Sequence, residues 1–195
     1  TVTSLPELPA DAALVIEAVP ERLTDKIAVL TAAEKAVAPS AVLASNTSSL
    51  SITDLGAALE YPQRFVGMHF FNPVPVSKLV EVVRGPQTSD DVVAAVLAWT
   101  HVLGKSDIVV RDSPGFATSR LGVALGLEAI RMLEEGITDA ASIDRAMELG
   151  YRHPMGPLRS TDLVGLDVRL AIAEHLHNTL GERLAPPALL RDKAP

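Results

Sequence analysis

Residues 12–45 read Ala12-Ala13-Leu14-Val15-Ile16-Glu17-Ala18-Val19-Pro20, then a longer segment from Glu21 to Ser40, then Ala41-Val42-Leu43-Ala44-Ser45. The first run is apolar, rich in β-branched residues and bounded by Asp11 and Pro20, which is the composition of a buried strand. From Glu21 to Val37 the period changes. Leu23, Ile27, Leu30, Ala33 and Val37 recur three or four apart, so they share one face of a helix that Pro39 ends. Ala41 to Ser45 is a second short strand, closed by the polar cluster Asn46-Thr47-Ser48-Ser49, and a short helix over Ile52–Leu59 follows. Strand and helix in alternation predict a parallel, doubly wound sheet. Ligands of such sheets bind beyond the carboxyl ends of the strands, which is where Ser48 falls.

Working outward, Arg64–Phe71 and Leu79–Val83 read as two more strands, Asp90–Leu103 as a helix with Val93, Val96, Leu97 and Thr100 inward, and Asp107–Val110 as a further strand. Arg111-Asp112-Ser113-Pro114-Gly115 breaks the pattern and marks a domain boundary, dividing the chain into 1–111 and 112–195. Beyond it the sequence is all helical, with helices expected at Phe116–Glu135, Ala140–Leu149 and Thr161–Leu180. The tail from Ala185-Pro186-Pro187 to Pro195 has no strong period and reads as loose. The fold class is therefore α/β plus all-α.

Hydrophobic residues make up 48% of the 195 and charged residues 21%, enough to build a substantial core and to exclude disorder. A net charge of −7 argues against nucleic-acid or membrane-surface binding, which needs a concentrated basic face. There is no cysteine, hence no disulfide framework, thiolate metal site or cysteine nucleophile. No apolar run reaches the roughly 18 residues that span a bilayer, and no signal-like segment opens the chain, so the expected setting is cytoplasmic.

The chemistry concentrates in His69-Phe70-Phe71-Asn72-Pro73-Val74-Pro75 and the following Lys78-Leu79-Val80-Glu81-Val82-Val83. One imidazole and one carboxylate stand twelve positions apart on either side of a Pro-rich turn, which can fold Glu81 back onto His69. A His held by an ionised Glu gains basicity and a fixed tautomer, as a general base requires. The plain alternative is a core His with a chance Glu nearby. Ser48 is equally able to be an ST-turn or helix-cap residue, a part Ser49 can also fill. Asn72 can be a pre-proline turn residue, and Glu21 and Lys26 ordinary charges of a helix. Lys78, Arg84 and Lys105 are scattered and read as solvated surface. His175 and His177 are two apart on a helix, do not share a face and have no third ligand near them, so no metal site is expected. Gly122 and Gly126 give a small-xxx-small spacing that means close helix packing or a dimer contact.

Several segments together resemble the 3-hydroxyacyl-CoA dehydrogenase family. They are Val15-Ile16-Glu17-Ala18-Val19-Pro20-Glu21, Ala44-Ser45-Asn46-Thr47-Ser48-Ser49-Leu50, the His69 to Glu81 segment, Asp112-Ser113-Pro114-Gly115-Phe116, His153-Pro154-Met155-Gly156-Pro157 and Asp162-Leu163-Val164-Gly165-Leu166-Asp167. The order and spacing of the six carry the specificity. The resemblance implies a partial Rossmann-like sheet followed by a helical domain for substrate binding and dimerisation. It further implies NAD-dependent oxidation of a short-chain (S)-3-hydroxyacyl-CoA, a reaction of fatty-acid metabolism and β-oxidation. His69 matches the family's base, Glu81 its orienting carboxylate, and Ser48 the serine that bonds the reacting oxygen. Glu21, Lys26, Asn46 and Asn72 match positions around the cofactor, and an acyl-CoA substrate and a homodimer come with the family.

Two departures qualify that picture. The chain contains no Gly-x-Gly-x-x-Gly loop, which the resemblance implies in an upstream βαβ unit, and the family's Gly-rich tail is not found. Both ends therefore read as cut, which leaves open a binding remnant without activity, or a sister dehydrogenase of a small hydroxy acid. Where the family pattern has Asn before the Arg that opens the long helix, this chain has Ser119 followed by Arg120. A serine offers one donor where an amide offers two, so Ser119→Asn is predicted to raise turnover; steady-state rates that stay equal or fall would refute this.

Overall fold

The computed structural model describes residues 4–194, which divide into two compact units after Phe116. The first unit is a five-stranded sheet in the order β1 (Leu14–Glu17), β2 (Val42–Ser45), β3 (Phe65–Phe70), β4 (Leu79–Arg84), β5 (Ser106–Arg111). Helices α1 (Leu23–Ala36), α2 (Ile52–Ala57) and α3 (Asp90–Val102) connect them. β1, β2 and β3 run parallel, β4 runs antiparallel to β3, and β5 is parallel to β4. The reversal follows from chain length, because the link between β3 and β4 is too short for the crossover that a parallel pair requires.

The central strands read as unbroken apolar runs because both faces of the sheet are covered. Leu43, Phe65 and Val83 face one side with Leu30, Ile52 and Leu55, while Val42, Ala44, Val66, Met68, Val80 and Val82 face the other with Val92 and Val96. Gly67 lies on the first face, where a Cβ would come within 2.7 Å of Val83 Cβ and 2.9 Å of Ile52 Cδ1, so no side chain fits there. Ser51 caps α2 by accepting from Asp54 N, and Ser89 caps α3 by accepting from Val92 N. Asp112 ties the far end of β5 back to α2, accepting from Ser51 Oγ (3.0 Å) and Thr53 N (2.7 Å). The helix expected from Glu21 begins at Leu23, leaving Glu21 in the turn that precedes it.

The second unit is helical, with α4 (Thr118–Glu134), α5 (Ala140–Gly150), α6 (Pro157–Val164), α7 (Leu166–Leu180) and α8 (Ala188–Lys193). The single helix expected over Thr161–Leu180 is two, broken at Gly165, whose φ of 97° no helical residue adopts. The first of them starts earlier than expected, at Pro157, because Asp144 of α5 receives its orphan N–H groups from Leu158 (2.8 Å) and Arg159 (3.0 Å). The tail is not loose. Leu184 and Leu190 are buried with Val123, Leu127, Ile130, Ala173 and Leu176, Arg131 donates to Ala185 O (2.6 Å), and Glu134 caps α8 at Leu189 N. Gly126 packs helix on helix, since a Cβ there would meet Thr161 Oγ1 at 2.8 Å, whereas Gly122 faces open space. No helix among the described residues is long and apolar enough to cross a membrane.

Candidate active site

His69 and Glu81 are direct partners in the β3/β4 register. Opposite residues of an antiparallel pair project to the same face, so the twelve-residue spacing in sequence becomes a cross-strand contact. His69 Nδ1 lies 3.1 Å from Glu81 Oε2, with Glu81 fully buried and His69 7% exposed. The rings of Phe71 (4.4 Å between centroids) and Phe116 (6.1 Å) flank the imidazole. With Nδ1 held by the carboxylate, Nε2 is the nitrogen through which the ring can exchange a proton with a ligand.

A second network lies at the carboxyl ends of β1 and β2. Glu17, the last residue of β1, is buried and accepts from Lys26 Nζ (2.8 Å), Val19 N (2.6 Å) and Ser45 Oγ (2.5 Å). Lys26 is itself 1% exposed, and its ammonium also meets Val19 O (3.0 Å) and Glu21 Oε2 (3.3 Å). Glu21 then holds the 47–49 loop, accepting at Oε1 from Thr47 Oγ1 (2.5 Å), Ser48 N (2.9 Å) and Ser49 N (3.0 Å). Burial pushes the Glu21 carboxyl up, but the Thr47 hydroxyl, the Lys26 ammonium and the two backbone N–H groups outweigh it and hold the group below the ordinary carboxylate value. Glu21 is therefore an anion and a pure acceptor at neutral pH.

Asn46 joins the two networks. Its backbone N donates to Glu17 O (2.8 Å), and its Oδ1 accepts from Phe70 N (2.8 Å), the residue after His69. The side-chain NH₂ of Asn46 carries two further donors. Thr47, not Ser48 or Ser49, fills the turn-forming part, because its hydroxyl oxygen accepts from Leu50 N at 2.9 Å. The Ser48 hydroxyl reaches Glu21 only at 3.4 Å.

Of the residues singled out from sequence, Glu21, Lys26, Asn46 and Ser48 thus form one connected group, and His69 and Glu81 a pair tied to it through Asn46. Asn72 is exposed at the start of the β3–β4 loop. Ser119 belongs to α4 in the second unit. Lys26 makes its contacts inside the protein, so it acts on the site by fixing Glu21. Sequence reasoning missed Glu17, Ser45 and Thr47. The available signal was an acidic residue ending an apolar strand with a lysine nine positions on, a pairing that burial makes obligatory.

Residues 1–113 match the NAD binding domain of 3-hydroxyacyl-CoA dehydrogenase, and residues 115–195 match the C-terminal domain of the same enzyme. The chain is 45% identical over 179 residues to a probable 3-hydroxybutyryl-CoA dehydrogenase of Bacillus subtilis, an alignment covering 91% of this chain and 62% of that one. It is 45% identical over 183 residues to a probable 3-hydroxybutyryl-CoA dehydrogenase of Deinococcus radiodurans, covering 93% and 66%. Among solved structures, (S)-3-hydroxybutyryl-CoA dehydrogenase from Ralstonia eutropha superposes with a TM-score of 0.93 at 44% identity, covering 98% of this chain and 68% of that one. The chain spans less than two thirds of the length of these two curated relatives. Two family domains matched in order, on a sheet that brings His69 against Glu81, make this chain a member of the 3-hydroxyacyl-CoA dehydrogenase family.

Proposed function

We propose that this chain carries the base and the substrate-binding side chains of an NAD-dependent dehydrogenase that oxidises short-chain (S)-3-hydroxyacyl-CoA to 3-ketoacyl-CoA. The carrying observation is the buried His69–Glu81 pair at the end of β3, beside the carboxyl ends of the parallel strands. His69 Nε2 takes the proton of the substrate's 3-hydroxyl, while Glu81 holds the opposite nitrogen and stabilises the imidazolium that forms. Ser48 donates to the reacting oxygen, and its loop is held in place by Glu21. Ser119 helps to hold the substrate.

The donor set fits the nicotinamide and ribose portion of the cofactor. A partly exposed carboxylate at Glu21 suits sugar hydroxyls, and the amides of Asn46 and Asn72 can both give and accept hydrogen bonds with a carboxamide. When bound, NAD supplies the hydride acceptor. Residues 1–111 are assigned to the cofactor side and 112–195 to the helical domain. Exposed Leu121, Leu149, Tyr151 and Leu163 on that helical unit support a homodimer through it, and the acidic, cysteine-free composition supports a cytoplasmic setting.

The test is oxidation of NADH, followed at its absorbance band, with acetoacetyl-CoA and separately with free acetoacetate. Turnover is expected with the CoA ester and not with the free acid. Preference for the free acid would move the assignment to a small hydroxy-acid dehydrogenase, and binding of acetoacetyl-CoA without turnover to a binding remnant.

A further inference from the structure

We propose that Lys105 is a positioning residue that fixes the β3–β4 loop carrying Asn72 beside the His69–Glu81 pair; this rests on the function proposed above. Sequence reading placed Lys105 on solvated surface, and the structure assigns its ammonium elsewhere. Lys105 Nζ donates to Val74 O at 2.6 Å and to Ser77 O at 2.7 Å. The next residue adds a third tie, Ser106 N to Lys78 O at 2.7 Å.

The geometry that aims Lys105 is set at the end of α3. Gly104 has φ 69° and donates to His101 O (2.9 Å), while Lys105 N donates to Thr100 O (3.1 Å). Those two bonds define a Schellman stop, which reverses the chain and delivers Lys105 back along the sheet. The loop it meets has little of its own to hold it. Asn72, Pro73, Val74, Pro75 and Val76 are all exposed, with Val76 at 73%, and inside the loop Val76 N and Ser77 N both donate to Pro73 O at 2.9 Å.

Among the described residues Lys105 forms no ion pair, so its charge is directed at two neutral carbonyls. Such charge-assisted bonds are the stronger kind, and two of them three residues apart chelate the loop in one conformation. His69 and Glu81 are fixed independently, by the β ladder. Loss of the clamp therefore loosens the segment that bears Asn72 without disturbing the base.

Hydrogen exchange read by mass spectrometry on the full chain tests the clamp. Lys105→Met is expected to speed exchange at Val76 and Ser77 by about tenfold or more, with the β3 and β4 amides unchanged. Lys105→Arg, which keeps charge and donors, is expected to stay within about threefold of the parent. Should Lys105→Met not fold, Lys105→Gln takes its place. Unchanged exchange in the uncharged variant overturns the clamp. In the holoenzyme, the uncharged variant is expected to raise KM for NAD about tenfold and leave kcat within about threefold. A collapse of kcat with KM intact overturns the positioning role. If the parent protein shows no turnover at all, the proposed function fails while the exchange comparison still decides the clamp.

Discussion

His69→Ala is expected to leave the chain folded and to lower kcat by about 10²- to 10⁴-fold with little change in substrate binding, the range for loss of a well-placed acid or base. Folding survives because β3 keeps its backbone ladder to β2 on one side and to β4 on the other, neither of which involves the ring. Turnover is expected not to survive, because His69 is the one histidine of β3 and β4 and the proposed proton acceptor. Glu81→Gln gives a smaller loss, since an amide oxygen still accepts from Nδ1 but the charge that stabilises an imidazolium is gone. Both variants are to be read as kcat and KM with acetoacetyl-CoA and NADH, beside a circular-dichroism spectrum that reports folding. A His69→Ala enzyme that keeps kcat within about threefold of the parent would remove His69 from the base role. Equal losses in the two variants would mean that imidazole and carboxylate act as one unit, as coupled catalytic groups do.

The sheet was legible in the sequence because its signal is local. Two apolar runs of β-branched residues separated by a 3.6-period helix leave few alternatives, and each of the expected strands is present. The cross-strand contact between His69 and Glu81 was legible for a related reason, as a Pro-rich turn between two strands can only be a reversal. What stayed hidden depends on partners distant in the chain. Lys105 reads as surface until the stop at Gly104 and the loop at 74–77 are placed together. The start of α6 at Pro157 depends on Asp144, fourteen positions before Leu158. α8 is six residues long, under two turns, so it shows no period of its own, and it exists because Leu190 is buried against α4 and α7. Thr47 and Ser48 are indistinguishable as hydroxyl residues until Leu50 N is seen to choose the first. The site was thus readable where chemistry and local pattern coincided, and unreadable where a long-range hydrogen bond decided which of two similar residues does what.

Glu17→Ala is expected to destabilise the protein by about 3–5 kcal/mol, the cost of leaving one member of a buried ion pair without its partner. Glu17 and Lys26 have side chains each 1% exposed, so neither can turn to water when the other is removed. Without Glu17 the Lys26 ammonium keeps, among the described residues, Val19 O and Glu21 Oε2, the latter at 3.3 Å from a carboxylate that is itself a third exposed. Ser45 Oγ and Val19 N lose their acceptor in the same step, and each adds to the loss. Replacing both charges, as in Glu17→Met with Lys26→Met, removes the unpaired charge and is expected to recover much of the stability, since apolar groups of similar volume often replace a buried pair at little cost. Denaturant unfolding of the parent, Glu17→Met, Lys26→Met and the double variant gives the coupling energy directly. A single-variant loss below about 1 kcal/mol would place the pair among interactions that contribute little, as exposed ion pairs do. The double variant also separates stability from function. It restores the fold but not the ammonium beside Glu21, so it is expected to melt near the parent and yet bind NAD more weakly, which would show that the buried pair both holds the ends of β1 and β2 and aims Glu21 at the cofactor.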